Sequence, residues 1–203
     1  MSRSALIIFA KAPVPGFAKT RLVPALGAAG AAALAERMLA HAAQAGAQAG
    51  LDTLEICAAP DPSHPSFSSL SQAHGLALTA QVEGDLGQRM HHAFERVLAH
   101  HATALVIGTD APALDAAVLA RAQAELARND AVFVPALDGG YALVGLRAPQ
   151  RTLFEDMAWG TPTVMAHTRE RLRAEGLRWA ELPPVADVDE PADLVHLPPG
   201  WLP

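Results

Sequence analysis

Lys11, Lys19 and Arg21 fall within eleven residues of an otherwise acidic chain, in the segment FAKAPVPGFAKTRL from Phe9 to Leu22. Arginine can grip phosphate oxygens with two parallel donors, and lysine acts as a point charge. Pro15 and Gly16 fix the path of the loop and let backbone approach a ligand closely. The segment is therefore a candidate nucleotide-phosphate loop, the alternative being a solvated basic loop. It lacks the Gly-Lys-Ser/Thr step of a Walker loop and is no dinucleotide fingerprint. Acidic candidates lie further along. Asp110, in IGTDAPAL, stands just beyond an apolar strand-like run. That place suits Mg²⁺, which takes one or two carboxylates plus phosphate oxygens and water; otherwise Asp110 caps the turn before Pro112. Asp187 and Asp189, in ADVDEPADL, alternate and share one side if the segment is extended. Glu190 and Asp193 read instead as first-turn acids of a short helix. Asp138, Gly139, Gly140 and Tyr141 join two strand-like runs, either as a plain hairpin turn or as a place where substrate lies against backbone.

These residues need elements to hold them. The apolar runs Ala5–Ala10, Leu51–Ala59, Leu76–Val82, Ala104–Gly108, Ala131–Ala136, Tyr141–Leu146 and Leu177–Leu182 read as strands. Helical patterns fill Ala28–Ala49, the stretch from Asp85 to His101, the stretch from Asp115 to Arg128, and Pro162–Glu175, with a short turn from Pro191. Asp115 is placed to cap its helix. Pro60–Pro65 reads as a turn. Strand–helix alternation predicts a three-layer α/β/α fold on a mostly parallel, mixed sheet, as one domain over residues 1–203. Ligands of such sheets bind at the carboxyl ends of strands. The basic loop, Gln88-Arg89, Asp110, the Asp-Gly-Gly turn and Asp187–Asp189 all follow predicted strands.

Composition narrows the function. A 51% hydrophobic chain of 203 residues can bury a full core. Net charge of −6 and a pI near 5.8 supply no domain-wide basic field, so no nucleic-acid partner is expected. The single cysteine, Cys57, excludes an internal disulfide and reads as a buried small hydrophobe. Ala5–Ala10 is too short for a secretory leader, and polar residues such as Glu36, Arg37 and Gln44 interrupt the Ala-rich stretch, so neither a membrane partner nor a site outside the cytoplasm is expected. The nine histidines lack i, i+4 zinc spacing and are expected at the surface.

Taken together, Lys-x7-Lys-Thr-Arg-Leu, Gly-Thr-Asp-Ala-Pro, Asp-Gly-Gly-Tyr and Asp-Val-Asp-x-Pro-x-Asp-Leu resemble the GT-A nucleotide-diphospho-sugar transferase superfamily. Within it they look like the small bacterial glycosyltransferase-like family related to 2-phospholactate guanylyltransferase and sometimes linked to arsenosugar biosynthesis. The resemblance implies a nucleotide held by Lys11, Lys19 and Arg21, with a base or ribose contact near Gln88 and Arg89. It implies Mg²⁺ or Mn²⁺ on Asp110 and on Asp189 or Asp187. Trp159, Thr161 and Thr163, in WGTPT, are similar to acceptor-side segments of cytidylyltransferases. The expected reaction is sugar transfer from a nucleotide-sugar to a small acceptor, with Lys19, Arg21 and Asp110 as catalytic groups. Nucleotidyl transfer from a nucleoside triphosphate, with release of pyrophosphate, ranks second because the Lys/Pro/Gly loop replaces the Gly-x-Ser-x-Arg-Met-Gly loop of many such enzymes. A non-catalytic nucleotide-binding protein is the third class.

Overall fold

The N-terminal apolar run forms β1 (Ser4–Lys11), which is buried on both faces. Leu6, Ile8 and Ala10 enter one core, and Ala5 and Ile7 enter the other. This alternation is what a strand sandwiched between two helical layers requires. A computed structural model describes residues 3–202. Met1, Ser2 and Pro203, which belong to the domain expected from sequence, lie outside the described residues.

Among the described residues the other strands are β2 (Thr53–Ala59), β3 (Ala77–Ala80), β4 (Thr103–Ile107), β5 (Ala131–Pro135), β6 (Tyr141–Leu146) and β7 (Trp179–Glu181). They form one sheet in the order β3-β2-β1-β4-β6-β5-β7, in which β6 runs antiparallel to both neighbours and the remaining pairs are parallel. The helices are α1 (Val23–Gln48), α2 (Pro65–His74), α3 (Leu86–Leu98), α4 (Ala116–Glu125) and α5 (Val164–Ala174). Side chains of α1, α2 and α4 share one core with the sheet, and those of α3 and α5 share the other. The three-layer, mostly parallel architecture expected from sequence is therefore present.

The register explains why chemistry gathers on one edge. Ile8 of β1 pairs with Ile107 of β4, so the chains leaving those strands depart side by side. The reversed β6 begins where β5 ends, which brings the turn at 136–140 to that same edge. A bridge between Ala136 and Val185 and a hydrogen bond from Val188 N to Asp110 O (2.8 Å) draw the segment 185–189 alongside. A small third core of Leu22, Ala31, Leu34, Met38 and Val188 ties the basic loop to that segment, and Trp201 packs against it.

Three readings change. The Pro60–Pro65 turn leads into a helix, α2, which the sequence reading left out. Its pattern is weak because Phe67 alone is fully buried on it. The Ala-rich helix starts earlier, at Val23, and is broken at Gly27, whose φ of 70° and ψ of 166° a side chain would strain. Thr20–Gln48 is long and apolar enough to cross a membrane. Leu34, Leu39, Ala42 and Ala43 on it are nonetheless buried in the cores. Finally, not every histidine is at the surface: His41 sits edge-on to Trp201, 5.1 Å between ring centres, with Nε2 buried and unpartnered.

Candidate active site

Lys19 is the centre of the site, and its direction overturns part of the sequence reading. The sequence expects a phosphate ligand on a loop open to the cleft, yet the Lys19 side chain is only 6% exposed. Nζ lies 2.5 Å from Asp110 Oδ1 and 2.9 Å from Asp189 Oδ1, and it donates to the carbonyl oxygen of Val188 at 2.5 Å. The physical reason is local. Ala18 and Leu22 are buried and pin both ends of the short segment, while Lys19 itself takes a left-handed backbone (φ 49°, ψ 43°) that turns its side chain inward. Few non-glycine residues adopt this region. Burial disfavours the charge on Lys19, but Asp110 and Asp189 outweigh it and raise the pKa above the ordinary lysine value. The ammonium is thus firmly held. The two carboxylates remain 46% and 42% exposed toward the cleft.

That cleft has a volume of about 680 Å³ and opens at the carboxyl edge of the sheet. Lys11, Arg21 and Arg89 line it with Lys19 and Asp110. Arg21 is 70% exposed and loosely paired with Glu190 at 3.7 Å, so it is free to turn toward an anion. Pro15 and Gly16 do not line the cleft; they shape the approach to it, Gly16 at φ 80°. Gln88 is not in the wall either. Its side-chain oxygen accepts from Asp85 N (2.9 Å) while Asp85 accepts from Gln88 N (2.8 Å), a reciprocal cap that holds the side chain at the start of α3. Gln81 takes the position at the cleft instead. Its Nε2 donates to Cys57 O (2.9 Å) and its Oε1 accepts from Arg89 (3.4 Å). Gln81 carried no sequence signal, because the expected strand Leu76–Val82 runs through it, whereas β3 ends at Ala80. Phe17, 77% exposed and also in the wall, carried none beyond lying in the basic loop.

The opposite wall holds Asp138, Gly140, Tyr141, Trp159 and Thr161. Asp138 Oδ1 accepts from Gly140 N at 2.8 Å, closing the turn. Gly139 is not in the wall, but it has φ 93°, and a Cβ there would overlap the backbone of Pro162. Its carbonyl accepts from Met165 N (2.8 Å), so the turn also anchors the start of α5. The hairpin reading and the wall reading of Asp-Gly-Gly thus describe the same turn. Tyr141 packs edge-on to Trp159 with 6.3 Å between centres, and burial raises its hydroxyl pKa, which keeps it a neutral donor. Thr163 is not in the cleft wall and shares a hydrogen bond of 3.0 Å with Thr161.

Asp187 and Asp189 also line the cleft. Burial, followed by the charge of Asp138, raises the Asp187 carboxyl above the ordinary aspartate value. A smaller hollow of about 370 Å³ adjoins the cleft here and is walled by Asp138, Asp187, Asp189, Glu190 and Asp193 with Arg21 and His196. Glu190 and Asp193 form a capping box on the short turn Pro191–His196, and Asp193 also accepts from Asp189 N (3.0 Å). As expected, those two acids are structural. Asp187 does not contact Lys19, so of the proposed metal ligands Asp110 and Asp189 are the two that meet at one point. Among the described residues no three His, Cys, Asp or Glu side chains cluster as a complete metal site. Two carboxylates converging on one cation are nonetheless the donor set that suits Mg²⁺ or Mn²⁺ completed by substrate oxygens.

No curated protein matches the chain in sequence. Among solved structures, a candidate nucleotide-diphospho-sugar transferase from Desulfovibrio desulfuricans G20 is 32% identical, with a TM-score of 0.84 over 96% of this chain and 85% of that one. CMP:2-keto-3-deoxy-manno-octonic acid synthetase, solved with CTP, shares the fold at 12% identity (TM-score 0.55, 96% of each chain). Glucosyl-3-phosphoglycerate synthase from Mycobacterium tuberculosis, solved with Mn²⁺, UDP and its product, does so at 10% identity (TM-score 0.54, 96% of this chain and 75% of that one). The fold is accordingly that of the GT-A-like nucleotide-diphospho-sugar transferases. A family model described as "uncharacterized protein conserved in bacteria" matches residues 38–161, and the chain belongs to that family, DUF2064.

Proposed function

We propose that the protein is a transferase that binds a nucleotide-sugar with Mg²⁺ or Mn²⁺ and passes the sugar to a small, uncharged acceptor. One observation carries the reading: Asp110, Asp189 and Lys19 converge at the carboxyl edge of the sheet, in a cleft whose rim holds Arg21, Lys11 and Arg89. Asp110 and Asp189 would hold the ion, which when bound supplies positive charge to the oxygens of the departing diphosphate. Arg21 and Lys11 reach the same phosphates from the loop, where fixed charge aimed at a developing anion lowers the barrier. Arg89 and Gln81 present donors and an acceptor to the nucleoside. Tyr141, Trp159 and Thr161 form a wall with an apolar body and the hydroxyls of Tyr141 and Thr161, suited to a hydroxylated acceptor.

The acidic hollow favours this reaction over the runner-up. Nucleotidyl transfer brings an anionic acceptor against the α-phosphorus, and Asp138, Asp187, Glu190 and Asp193 would repel it. The neighbours include both reaction types, so their likeness supports a nucleotide-dependent transferase without choosing between them. The test is a panel of nucleotide-sugars and nucleoside triphosphates incubated with Mn²⁺ and candidate acceptors. Release of nucleoside diphosphate together with glycosylated acceptor supports the reading. Release of pyrophosphate replaces it with nucleotidyl transfer, and tight nucleotide binding with no product points to a binding protein.

A further inference from the structure

We infer that Lys19 is a built-in cation that occupies the point between Asp110 and Asp189 where a divalent ion would bind, and must leave it before the ion can bind. The inference rests on the assignment of Asp110 and Asp189 as metal ligands.

Three oxygens surround Nζ, at 2.5 Å (Asp110 Oδ1), 2.9 Å (Asp189 Oδ1) and 2.5 Å (Val188 O). An ammonium carries three N–H donors and no acceptor, so this set matches its full capacity. A divalent ion bound between the same two carboxylates would need the space that Nζ fills, and it would meet a fixed positive charge at contact distance. The two occupants exclude each other. Removing the ammonium leaves two carboxylates facing one another across a vacated point, which is a stronger cation site than the pair neutralised by lysine.

The backbone gives the lysine a way out. Lys19 holds a left-handed conformation that costs a non-glycine residue energy, and its ion pairs sustain that conformation. The neighbouring Gly16 and Gly27 bracket the segment at φ 80° and 70°, each with open space around it. A nucleotide diphosphate in the cleft offers the ammonium a new anion, and the incoming ion takes over the carboxylates. Each event removes the other's obstacle, so nucleotide and metal bind together although neither is held well alone. Coupling of this kind is reciprocal by linkage. Lys19 thereby becomes the residue that prevents the site from filling with metal before nucleotide arrives.

The test uses Mn²⁺ alone, with no nucleotide, and follows the electron paramagnetic resonance signal of the free ion in titrations of the full chain. Wild type, Lys19→Ala, Lys19→Gln and the double variant Lys19→Ala/Asp110→Asn are compared, with circular dichroism melting to verify folding. Lys19→Gln keeps a donor for Val188 O without the charge, and it serves if the alanine variant is unstable. The expected result is one Mn²⁺ bound at least tenfold more tightly by each single variant than by wild type, with the double variant back at the wild-type level. Single variants that bind Mn²⁺ no better than wild type overturn the inference, as does a double variant that keeps the gain. If, in the same preparations, nucleotide affinity of wild type still depends on Mn²⁺, that failure touches Lys19 only. If it does not, the metal reading itself has failed.

Discussion

Two ion clusters in this molecule are built in opposite senses. On the scaffold, Glu55 of β2 is 8% exposed and meets the guanidinium of Arg96 on α3 with both carboxylate oxygens, while Thr79 of β3 donates to Oε1 at 2.6 Å. The anion is buried, the cation is half exposed, and the charges balance. In the cleft the cation is buried and two half-exposed anions face it, leaving one negative charge in excess toward the cleft opening. The balanced cluster locks α3 to the sheet. The unbalanced one keeps an excess of negative charge at the cleft, at a cost in stability that half-exposed carboxylates keep small because water still reaches them. An ion pair therefore signals a site here by its surplus charge and its opening, not by its shortness.

The contrast predicts a large loss of stability on one side and little on the other. Arg96→Ala strands the Glu55 carboxylate among apolar neighbours with Thr79 as its remaining partner. It should destabilise the fold by about 2–3 kcal/mol, below the ~3–5 kcal/mol of fully buried pairs because Arg96 is partly solvated. Urea unfolding measures this, and nucleotide affinity of the folded variant should be unchanged. A stability change as small in Arg96→Ala as in a surface pair would erase the distinction between the two clusters.

Gly139→Ala attacks the cleft without touching a charge. It places a Cβ at φ 93° against the Pro162 backbone, so either the turn or the start of α5 must shift. A strained backbone of this type costs roughly 1–3 kcal/mol. The expected outcome is that loss in unfolding free energy together with a raised KM for acceptor and little change in nucleotide affinity. Equal damage to both ligands would mean that the two walls are not separate subsites.

The smallest effect belongs to a surface pair that sets the scale. Arg169 bonds Glu181 through both carboxylate oxygens (2.9 and 2.7 Å), and these bonds hold the Glu181 carboxyl below its ordinary pKa. A depressed folded pKa contributes stability that is complete above the unfolded value, near 4.5, and disappears as pH falls through the folded value. Glu181→Gln should therefore cost roughly 0.2–1 kcal/mol at pH 7 and nothing at a pH well below the ordinary glutamate range. A cost that stays constant with pH would assign the effect to packing instead.

Much of this arrangement could be read from the residues before any coordinates. The strands announced themselves as short apolar runs because both of their faces are buried. Asp110, the turn at 138–140 and the segment 187–189 were marked by following such runs, and the parallel sheet does carry them to one edge. What could not be read was direction. Nothing in KTRL says that Lys19 turns inward and Arg21 outward; that depends on Leu22 and Val188 meeting in a small core far apart in sequence. Gln88 looked available because its role in the helix cap appears only when Asp85 is seen to reciprocate. Helix α2 was missed because an edge helix with one fully buried side chain writes almost no hydrophobic period.

The measurement that bears most directly on the account is nucleotide affinity by calorimetric titration, with Mn²⁺ or with chelator, in wild type and in Asp110→Asn. A nucleoside diphosphate found by the ligand panel is the titrant. Wild type should lose at least tenfold in affinity on chelation, equivalent to about 1.4 kcal/mol of coupling, and Asp110→Asn should be insensitive to chelator from the start. Wild-type affinity that is the same with Mn²⁺ and with chelator would contradict the account and leave Asp110 and Asp189 as no more than the permanent partners of Lys19.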